Sequence, residues 1–518
     1  MFFFSINRSR VGGFVLWILA VFQVVAEPVP DSETVSRGDR LAHQYCAACH
    51  LFPEPDLLDQ HTWQHHTLRK MAPFLGVAQV RMENRPDGAR LTEANLFPPS
   101  PILPKQDWFA IRDYYLAKAP TNALPQPPHE PIVADLTLFT PEKLTLPGSE
   151  PLTTLVSVDA MTHEIRVGDV SSGSLVTFRD NGTIARRLPL GGAPVDLVPD
   201  GPRLLATLIG HVYPSDVPDG QVLVLPSPGG GELPIPIATG LMRPVQCLPA
   251  DLNGDGLTDY LVCSFGNYLG RLSWFERKRL GGFEEHVLLD VPGAVHAVIR
   301  DFDGDGRPDL LVLMAQGKEG LYLFTNAGNG EFRVRPLLQF QPAFGSIHFE
   351  LADMNGDGIP DVILTNGDNG EYPSPFKRYH GVRIYLNDGR FNLREAAFYP
   401  VNGAFKTLAR DFDGDGDLDL AVISFFPDFS RAVPEGFVYL ENRGGLKFAP
   451  HTFPGATMGR WISMDAADVD GDGDVDLVLG SFSKGPPAIE IPPALQASWK
   501  TNGVNALILR NTRIRSTK

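Results

Sequence analysis

The stretch "DFDGDGRPDLLVLM", residues 301 to 314, joins an acidic, glycine-rich loop to an apolar run, and it decides how most of the chain folds. Its first nine residues follow the pattern D-x-[D/N]-G-D-G-x-x-D, which occurs five times, starting at residues 251, 301, 353, 411 and 468. Self-similarity at a period of 50 to 58 residues is typical of repeat architectures, in which each copy is one supersecondary unit. We therefore expect residues 140–515 to form an array of similar units.

The acidic loops predict bound calcium. Their carboxylates would repel one another at close range without a cation, and hard oxygen ligands in a glycine-bent loop suit calcium. An acidic, solvated turn is the alternative. We expect about five ions, one per loop, held by the side chains at positions 1, 3, 5 and 9 and the carbonyl of position 7. These ligands are Asp251, Asn253, Asp255, Leu257, Asp259, Asp301, Asp303, Asp305, Arg307, Asp309, Asp353, Asn355, Asp357, Ile359, Asp361, Asp411, Asp413, Asp415, Asp417, Asp419, Asp468, Asp470, Asp472, Asp474 and Asp476.

The twelfth residue of each loop excludes an EF-hand, which needs a bidentate Glu there. In this chain the position is apolar in all five copies: Val262, Val312, Leu364, Val422 and Leu479. The short, β-branched runs around it predict buried strands. Each repeat has one strand before the loop, one after it and two more behind, and four strands in about 50 residues are typical of a β-propeller blade.

Two degenerate copies raise the number of predicted blades to seven. They begin at residues 151 and 193 and lack the acidic loop. The last blade ends on its third strand, and we expect "EKLTLPG", residues 142–148, to supply the fourth. Closing the ring with both ends of the array would remove the exposed sheet edge.

These repeats resemble the FG-GAP/VCBS family, the calcium-loop propellers that include integrin α-subunits. The resemblance covers about residues 140 to 515 and rests on the loop motif. It implies an all-β, seven-bladed propeller whose calcium ions have a structural role. The first two blades depart from the family pattern, so no calcium is expected there.

A second motif lies far upstream in "YCAACHLF", residues 45 to 52. Cys46, Cys49 and His50 form C-x-x-C-H, the pattern of c-type haem attachment. Two thiols one helical turn apart can each form a thioether with a haem vinyl group, and the histidine then faces the iron. A redox dithiol and half of a zinc site are the alternatives, although the chain has no second C-x-x-C pair and no βαβ setting. One covalently bound haem c is therefore predicted.

The surroundings of this motif resemble class I cytochrome c domains over residues 32–118. The resemblance implies a small all-α domain in which Gly38 of the first helix packs against Tyr114 or Tyr115 of the last. Met71, followed closely by Pro73 in "LRKMAPFLG", is the expected distal haem ligand. Its competitors are Met82, His61, His65 and His66.

The flanking segments predict export and a domain boundary. Residues 1–26 combine a basic start, an apolar run and a small residue at a cleavage point, as in a signal peptide, with an uncleaved anchor as the alternative. We expect no stable membrane span after cleavage and a periplasmic, cell-surface or secreted bacterial protein.

Residues 119–131 are proline-rich and predict a linker. The formal net charge of -16 argues against a nucleic-acid partner.

The innermost strands place a polar residue five positions before each loop. We expect these residues to ring one end of the channel, where they could hold an anionic or metal ligand, or a substrate; channels also tolerate polar residues without a ligand. The ring consists of Gln246, His296, His348, Lys406 and Ser463, with Asp196 and Thr154 from the degenerate copies.

Three insertions and two cysteines complete the candidates. Blades five to seven carry insertions at residues 366–381, 425–436 and 481–503. These insertions could contact a substrate, dock the N-terminal domain or be variable surface loops. Cys247 and Cys263 flank one loop symmetrically, so we expect them opposite each other on adjacent strands, as two buried thiols or a disulfide.

Taken together, these features predict an exported mono-haem electron-transfer protein whose propeller binds a redox partner protein or a small substrate. A haem-linked dehydrogenase that oxidises a sugar or alcohol in the channel is an alternative, so an enzymatic role is left open. A glycan-binding or adhesion protein is another.

Overall fold

The structure is a computed structural model that describes residues 31–227, 233–371, 374–485 and 490–513. The predicted signal peptide lies outside these residues. The described chain consists of a helical region before residue 119 and a β-propeller that begins at Phe139. Within the described residues, no helix is long and apolar enough to cross a bilayer.

The helical region contains five α-helices and, among its described residues, no β-strand. Asp31 caps the first helix by accepting a hydrogen bond from the Thr34 amide at 2.7 Å. Short 3-10 turns and a π-helical stretch, Trp63–Thr67, connect the helices. The helices are α1 Ser32–Tyr45, α2 Gln60–Thr62, α3 Leu68–Met71, α4 Gly88–Glu93 and α5 Lys105–Lys118.

Helices α1 and α5 cross at close range, as the sequence predicts. A Cβ atom added at Gly38 would overlap the carbonyl oxygen of Ala110 and lie 2.7 Å from the Cβ of Tyr114. Below this crossing, Ala42, Ile111 and Tyr115 are almost fully buried in the core of the region. Glycine is therefore required in α1, because a larger residue would separate the two helices.

The propeller consists of seven four-stranded antiparallel sheets, which confirms the predicted number of blades. Its strands are β1 Phe139–Leu144, β2 Thr153–Asp159, β3 Glu164–Asp169, β4 Ser174–Phe178, β5 Ile184–Pro189, β6 Pro194–Asp200, β7 Arg203–Leu208, β8 Gly220–Val224, β9 Ile235–Leu241, β10 Pro244–Ala250, β11 Asp259–Ser264, β12 Arg271–Arg277, β13 Phe283–Leu289, β14 Ala294–Arg300, β15 Asp309–Met314, β16 Gly320–Gly328, β17 Glu331–Gln339, β18 Ser346–Ala352, β19 Asp361–Asn366, β20 Gly381–Asn387, β21 Leu393–Pro400, β22 Ala404–Arg410, β23 Asp419–Ser424, β24 Phe437–Asn442, β25 Phe448–His451, β26 Trp461–Ala467, β27 Asp476–Ser481 and β28 Ala506–Asn511. One further helix, α6 Pro493–Asn502, lies in the insertion of the last blade.

Strand β1 closes the ring as the fourth strand of the seventh blade. It pairs antiparallel with β28, from Phe139 opposite Asn511 to Leu144 opposite Ala506. The apolar residues at loop position 12, Val262 among them, have no exposed surface and pack between blades. Burial between neighbouring sheets thus explains why the second strand is largely apolar on both faces in the five blades that carry an acidic loop.

A bulge near the start of each innermost strand sets which residues form the channel ring. After the bulge, Gln246 pairs with Cys263 and His296 with Leu313. In the first blade the corresponding register pairs Leu155 with Gly168 and leaves Thr154 at the bulge. The prediction of Thr154 as a ring member was therefore wrong by one position, because a sequence alignment does not show where a strand bulges.

The same register decides the state of the two remaining cysteines. Cys247 lies opposite Val262, whereas Cys263 lies opposite Gln246. Cys247 packs in the hydrophobic cluster on one face of the sheet and Cys263 in the cluster on the other. Both are buried free thiols, because a disulfide cannot pass through the sheet.

The segment after the helical region runs over the propeller surface. Residues 119–131 form no helix or strand. Beyond them, the Val133 amide donates to the Pro450 carbonyl at 3.2 Å, and the Thr452 amide donates to the Val133 carbonyl at 2.8 Å. The chain is thus held against the outer strand of the sixth blade before it enters β1.

Candidate functional site

The C-x-x-C-H motif lies at the end of α1. Cys46 follows the helix directly and begins a 3-10 turn, Cys46–Ala48. The Nδ1 atom of His50 is 2.8 Å from the Leu51 carbonyl oxygen. If Nδ1 carries the proton and donates this bond, Nε2 keeps its lone pair, as in metal-ligating histidines that are oriented by a backbone carbonyl. These donor atoms fit a covalently attached haem.

The environment of Cys46 disfavours the two alternative readings of the motif. Burial raises the pKa of the Cys46 thiol to about 11, while the hydroxyl of the neighbouring Tyr115 donates to the Pro53 carbonyl at 2.9 Å. A redox-active dithiol needs the opposite environment, one that stabilises the thiolate. Among the described residues, no group of three metal-ligating side chains includes Cys46, Cys49 or His50, so a zinc site gains no support either.

Four of the five candidates for the distal ligand lie on consecutive helical turns between α2 and α3, and Met82 begins a later 3-10 turn, Met82–Asn84. Met71 is the half-buried last residue of α3. The rings of His61 and His65 lie 4.6 Å apart. Burial and the nearby charges of His61 and Lys70 lower the pKa of His66, which also lies near Glu371 of the propeller. Met71 stays a prediction as distal ligand, and His66 lies near the domain interface.

The acidic loops share one backbone conformation. In the fourth blade, Asp301 Oδ1 accepts from the Gly304 amide at 2.7 Å, and Oδ2 accepts from the Gly306 amide at 2.9 Å. These glycines have φ values of 78° and 85°, which explains why glycine recurs at positions 4 and 6. The amide of position 7, Arg307, donates to Asp305 Oδ1 at 2.9 Å. Corresponding bonds at position 7 are made by Leu257, Ile359, Asp417 and Asp474.

Three of the loops bring three carboxylates together. One oxygen of each carboxylate lies within 4.8 Å of the others in the groups Asp301–Asp303–Asp309, Asp411–Asp413–Asp415 and Asp468–Asp470–Asp476. The third and fifth blades carry Asn253 and Asn355 at position 3 instead. Such oxygen-only groups fit the ligand chemistry of a hard divalent cation.

The aspartate at position 9 also has a structural role. Asp361 Oδ2 accepts from the Met354 amide in its loop at 3.0 Å, and Oδ1 accepts from the Asn387 amide at the end of the third strand at 2.9 Å. The other four blades repeat both contacts or the second of them, with Asp259, Asp309, Asp419 and Asp476. All five aspartates are almost fully buried.

The sequence analysis missed an asparagine that connects neighbouring loops. Asn326 Nδ2 donates to Leu252 of the preceding blade at 3.0 Å and to Pro308 of its own loop at 3.1 Å. Asn511 makes the equivalent pair of bonds, to Phe412 at 2.8 Å and Val475 at 3.2 Å. The detectable signal was an asparagine at the end of the third strand in four blades: Asn326, Asn387, Asn442 and Asn511.

The channel ring contains ionisable groups in a protein-enclosed setting. The rings of His296 and His348 stack at 4.9 Å. Burial, followed by the nearby Lys406 charge, lowers the pKa of His296 to about 3, and burial lowers the pKa of His348 strongly. Burial raises the pKa of Asp196 to about 6. At neutral pH the ring therefore presents neutral imidazoles beside a lysine.

The helical region docks on the propeller partly through the insertion of the fifth blade, as one prediction proposed. Arg378 pairs with Asp56 at 2.6 Å, and the Tyr379 hydroxyl donates to the Leu57 carbonyl at 3.2 Å. Lys70 also donates to the Gly370 carbonyl. The docking is therefore polar on this side of the interface.

A second contact lies over the second and third blades. The Asp87 carboxylate binds the Arg85 guanidinium at 2.8 Å and accepts from the Asp216 amide at 2.9 Å. Tyr268 packs against Phe74 and Phe97, with ring centroids 5.9 and 5.8 Å away. The helical region thus contacts three blades.

The insertions of the sixth and seventh blades pack elsewhere. Phe429 contacts Trp499 of α6, with ring centroids 5.7 Å apart. Arg431 donates to the Gln126 side chain of the segment after the helical region at 2.7 Å. These two insertions brace each other and that segment, and their contacts are with the propeller and the linker.

Strand direction fixes which face carries which site. The acidic loops connect the first and second strands of a blade, whereas the insertions connect the second and third strands and so emerge at the opposite face. Each innermost strand starts at that opposite face, and the ring residues are among its first three residues. The channel ring therefore lies at the end toward the helical region, and the acidic loops lie at the other end.

Comparisons with known proteins agree with the repeat architecture. The family model for the FG-GAP-like repeat matches residues 251–312 and 301–364. The T-cell immunomodulatory protein homolog of Plasmodium falciparum (isolate 3D7) is 29% identical over 143 residues, which cover 25% of this chain and 19% of that protein. The match thus spans about a fifth of the length of that relative.

Solved structures are similar at low sequence identity. Virginiamycin B lyase from Staphylococcus aureus covers 72% of this chain and 98% of its own, with a TM-score of 0.45 and 10% identity. Saccharomyces cerevisiae Sqt1 covers 72% and 99%, with a TM-score of 0.43 and 9% identity. The sequence match, together with the seven four-stranded sheets, shows that the chain carries FG-GAP-like repeats within a seven-bladed β-propeller.

Proposed function

We propose that this chain is an exported electron-transfer protein that carries one haem c in its helical region and binds a redox partner or small substrate with a calcium-stabilised propeller. The observation that carries the proposal is the C-x-x-C-H motif at the end of α1, with His50 Nδ1 held 2.8 Å from a backbone carbonyl. Haem c supplies one-electron transfer when bound. Cys46 and Cys49 would hold it covalently, with His50 as proximal ligand and Met71 as distal ligand.

The propeller has two roles in this proposal. Its acidic loops would bind calcium and stabilise the blades at the face distant from the helical region. Its other face holds the helical region in place through Asp87, Arg378 and Lys70. A fixed position over the channel end supports a binding role for that end, since a bound molecule would lie close to the docked region.

Attachment of haem is tested by expression together with a haem-attachment system. The purified chain is expected to show a reduced-minus-oxidised visible spectrum and to keep its haem on a denaturing gel. The double variant Cys46→Ala with Cys49→Ala is expected to lose both signals, whereas Cys247→Ala, which removes a thiol outside the motif, is expected to keep them. Colourless wild-type protein would overturn the proposal.

The distal ligand is tested in the same preparation. Met71→Ala is expected to remove the spectral signature of thioether ligation, and Met82→Ala is the matched control. A thioether signature that persists in Met71→Ala and disappears in Met82→Ala would assign the ligand to Met82. A wild-type spectrum of bis-histidine ligation that is lost in a variant of His61, His65 or His66 would assign it to that histidine.

Export is part of the proposal and has its own measurement. Residues 1–26 are expected to direct the protein out of the cytoplasm of a bacterial host and to be removed. Cell fractionation and N-terminal sequencing of the mature protein check both points, and intact protein in the cytoplasm would contradict them.

A dehydrogenase is the second candidate function. The observation that favours it is the placement of His296, His348 and Lys406 at the channel end toward the helical region. Reduction of haem by an added sugar or alcohol, lost in the variants of His296 and His348, would support it. A glycan-binding or adhesion role, suggested by the FG-GAP repeats, instead predicts ligand binding that is unchanged in the double Cys46 and Cys49 variant.

A further inference from the structure

The proposed distal ligand, Met71, lies in residues 68–75, the distal segment. This segment consists of the short helix α3 and the 3-10 turn that follows it directly. Leu68, three residues before Met71, and Leu75, four residues after it, pack in the core of the helical region. Residues three and four apart share one side of a helix, so Met71 lies on the side toward that core.

A second side of the distal segment faces the propeller. Lys70 and Phe74 are four residues apart and therefore share this side. The Lys70 ammonium donates to the Gly370 carbonyl in the insertion of the fifth blade. The Phe74 ring packs against Tyr268 of the third blade, with the ring centroids 5.9 Å apart. Two blades thus hold the segment, one directly before Met71 and one shortly after it.

Hydrogen bonds within the propeller fix the position of Tyr268. The Asp216 carboxylate, which has no exposed surface, accepts from the Tyr268 amide at 3.0 Å and from the Leu269 amide at 2.9 Å. From the helical region, the Arg85 guanidinium lies 5.3 Å from the centroid of the Tyr268 ring. A cation near an aromatic face and a pair of packed rings both add to such a contact. Tyr268 is therefore a fixed support for Phe74.

The Gly370 carbonyl also belongs to a well-anchored part of the propeller. Its neighbour Glu371 pairs with Lys377 at 2.8 Å, and the Lys377 ammonium donates to the Ala343 carbonyl at 2.9 Å. Burial lowers the pKa of Lys70, and the charge of the nearby Glu371 opposes this shift. The Lys70 side chain is thus enclosed at the domain interface, where a hydrogen bond is stronger than one in water.

We propose that the propeller controls distal ligation of the haem, with Tyr268 and Lys70 as positioning residues that hold Met71 in place. Displacement of Met71 requires the distal segment to move, and that movement breaks the contacts with Tyr268 and Gly370. The state that keeps these contacts is therefore favoured over the state that loses them. The inference rests on the proposed haem function and deepens it by assigning the docked propeller a role in regulating that site.

Titration of the haem-loaded, oxidised protein with imidazole, followed by the visible spectrum, tests the inference. Imidazole must displace Met71 to reach the iron, so its Kd measures how firmly the distal segment is held. Tyr268→Ala removes the ring that supports Phe74 and is expected to lower the imidazole Kd by about threefold to tenfold. Tyr268→Phe keeps the ring and is expected to behave as the wild type. An unchanged Kd in folded Tyr268→Ala would overturn the inference.

A second variant and a matched control separate the distal segment from docking in general. Lys70→Leu removes the hydrogen bond to Gly370 and is expected to lower the imidazole Kd severalfold, so it tests the inference even if Tyr268→Ala fails to fold. Arg378→Met breaks an exposed contact with Asp56, outside the distal segment, and is expected to leave the Kd unchanged. An equal decrease in Arg378→Met would show that docking as a whole is responsible and would overturn the assignment to these residues.

Hydrogen exchange supplies a readout that does not depend on haem. The amides of residues 68–75 are expected to exchange faster in Tyr268→Ala than in the wild type or Arg378→Met, because the segment opens more often. Equal exchange in all three proteins would overturn the inference. Colourless wild-type protein would overturn the haem proposal itself. Haem-loaded protein with thioether ligation and one imidazole Kd in every variant would overturn only the inference.

Discussion

Blades one and two differ from blades three to seven in how they stabilise the first turn of the blade. In the first blade, Asp159 accepts from the Met161 and Thr162 amides at 3.0 and 3.1 Å and pairs with Arg166 at 2.5 Å. In the second blade, Asp200 accepts from the Tyr260 hydroxyl at 3.0 Å and lies 3.9 Å from Arg203. Each short turn thus has its own arginine near its acid.

The five later blades have longer loops with an excess of carboxylates. In the seventh blade, Arg513 pairs with Asp474 at 2.7 Å and Arg510 lies 3.4 Å from Asp470, yet three carboxylates, those of Asp468, Asp470 and Asp476, still lie together. The comparison indicates that the same blade geometry can place either of two cations beside its acids. One is an arginine side chain, and the other, in our proposal, is a bound calcium ion. The two groups of blades should therefore respond differently when cations are removed.

Removal of calcium should have the largest effect. A cation that binds only the folded state at a hundred times its dissociation constant adds about 2.7 kcal/mol per site, so chelation is expected to lower Tm by roughly 10 °C or more. Calorimetry with EGTA, followed by excess calcium to restore Tm, checks this. A Tm that does not change with EGTA would show that the carboxylates are stable without an ion.

Loss of a position 9 aspartate should have the next largest effect. Asp361→Ala removes the acceptor of the Met354 and Asn387 amides and is expected to cost about 2–5 kcal/mol, since two buried donors lose their partner. Chemical denaturation measures the loss. Asp388→Ala, an exposed aspartate in the same blade, is the matched control and should cost much less. Equal costs would refute the structural role of position 9.

The third prediction concerns pH and the stabilisation that calcium provides. Burial raises the pKa of Asp419 and of Asp476 to about 6, above the unfolded value near 3.9. In calcium-free protein these carboxyls therefore add stability as the pH falls from about 6 toward 4, and that contribution is lost as the pH rises through the folded pKa.

Calcium needs the same groups ionised, so its stabilising effect should shrink over this pH range. The difference in Tm between calcium-loaded and calcium-depleted protein is expected to be larger at pH 7 than at pH 5. Buried histidines such as His296 affect both forms equally and cancel in the difference. A constant difference would mean that the ion does not contact these aspartates.

Loss of Arg166, the arginine beside the first turn of the first blade, should have the smallest effect. Arg166→Met removes the partner of Asp159, a partly exposed pair, and is expected to cost about 1 kcal/mol or less. The cost should be the same with and without EGTA, because no ion is expected in this blade. Thermal denaturation measures it, with the exposed Arg187→Met as control. A cost that depends on EGTA would show that the first blade also uses a bound cation.

The repeated features could be predicted from the sequence because each depends on local chemistry. Loop positions with φ near 80° require glycine, and an apolar position 12 requires burial between sheets. The close approach of α1 and α5 at Gly38 was expected from the resemblance to class I cytochrome c domains, and the structure shows that only glycine fits there. Five copies of one motif also removed most of the ambiguity of a single match.

Features that depend on pairing register were missed or misassigned. Thr154 was aligned one position away from the ring because a bulge adds a residue without a sequence signal. The two cysteines were expected opposite each other, and the same kind of bulge places them on opposite faces of the sheet. Asn326 and its equivalents were overlooked, although their recurrence was visible in the sequence.

The sequence by itself determined the repeat, the number of blades, the closing strand β1 and the chemistry that each loop and the C-x-x-C-H motif can support. Such properties follow from residue type and spacing along one strand or turn. Only the tertiary structure decided which ring residues bind the neighbouring blade, as Gln246 does through the Ala297 amide, and where the helical region docks. Both depend on contacts between segments far apart in the chain, such as Asp87 with Asp216, and these contacts leave no periodic signal.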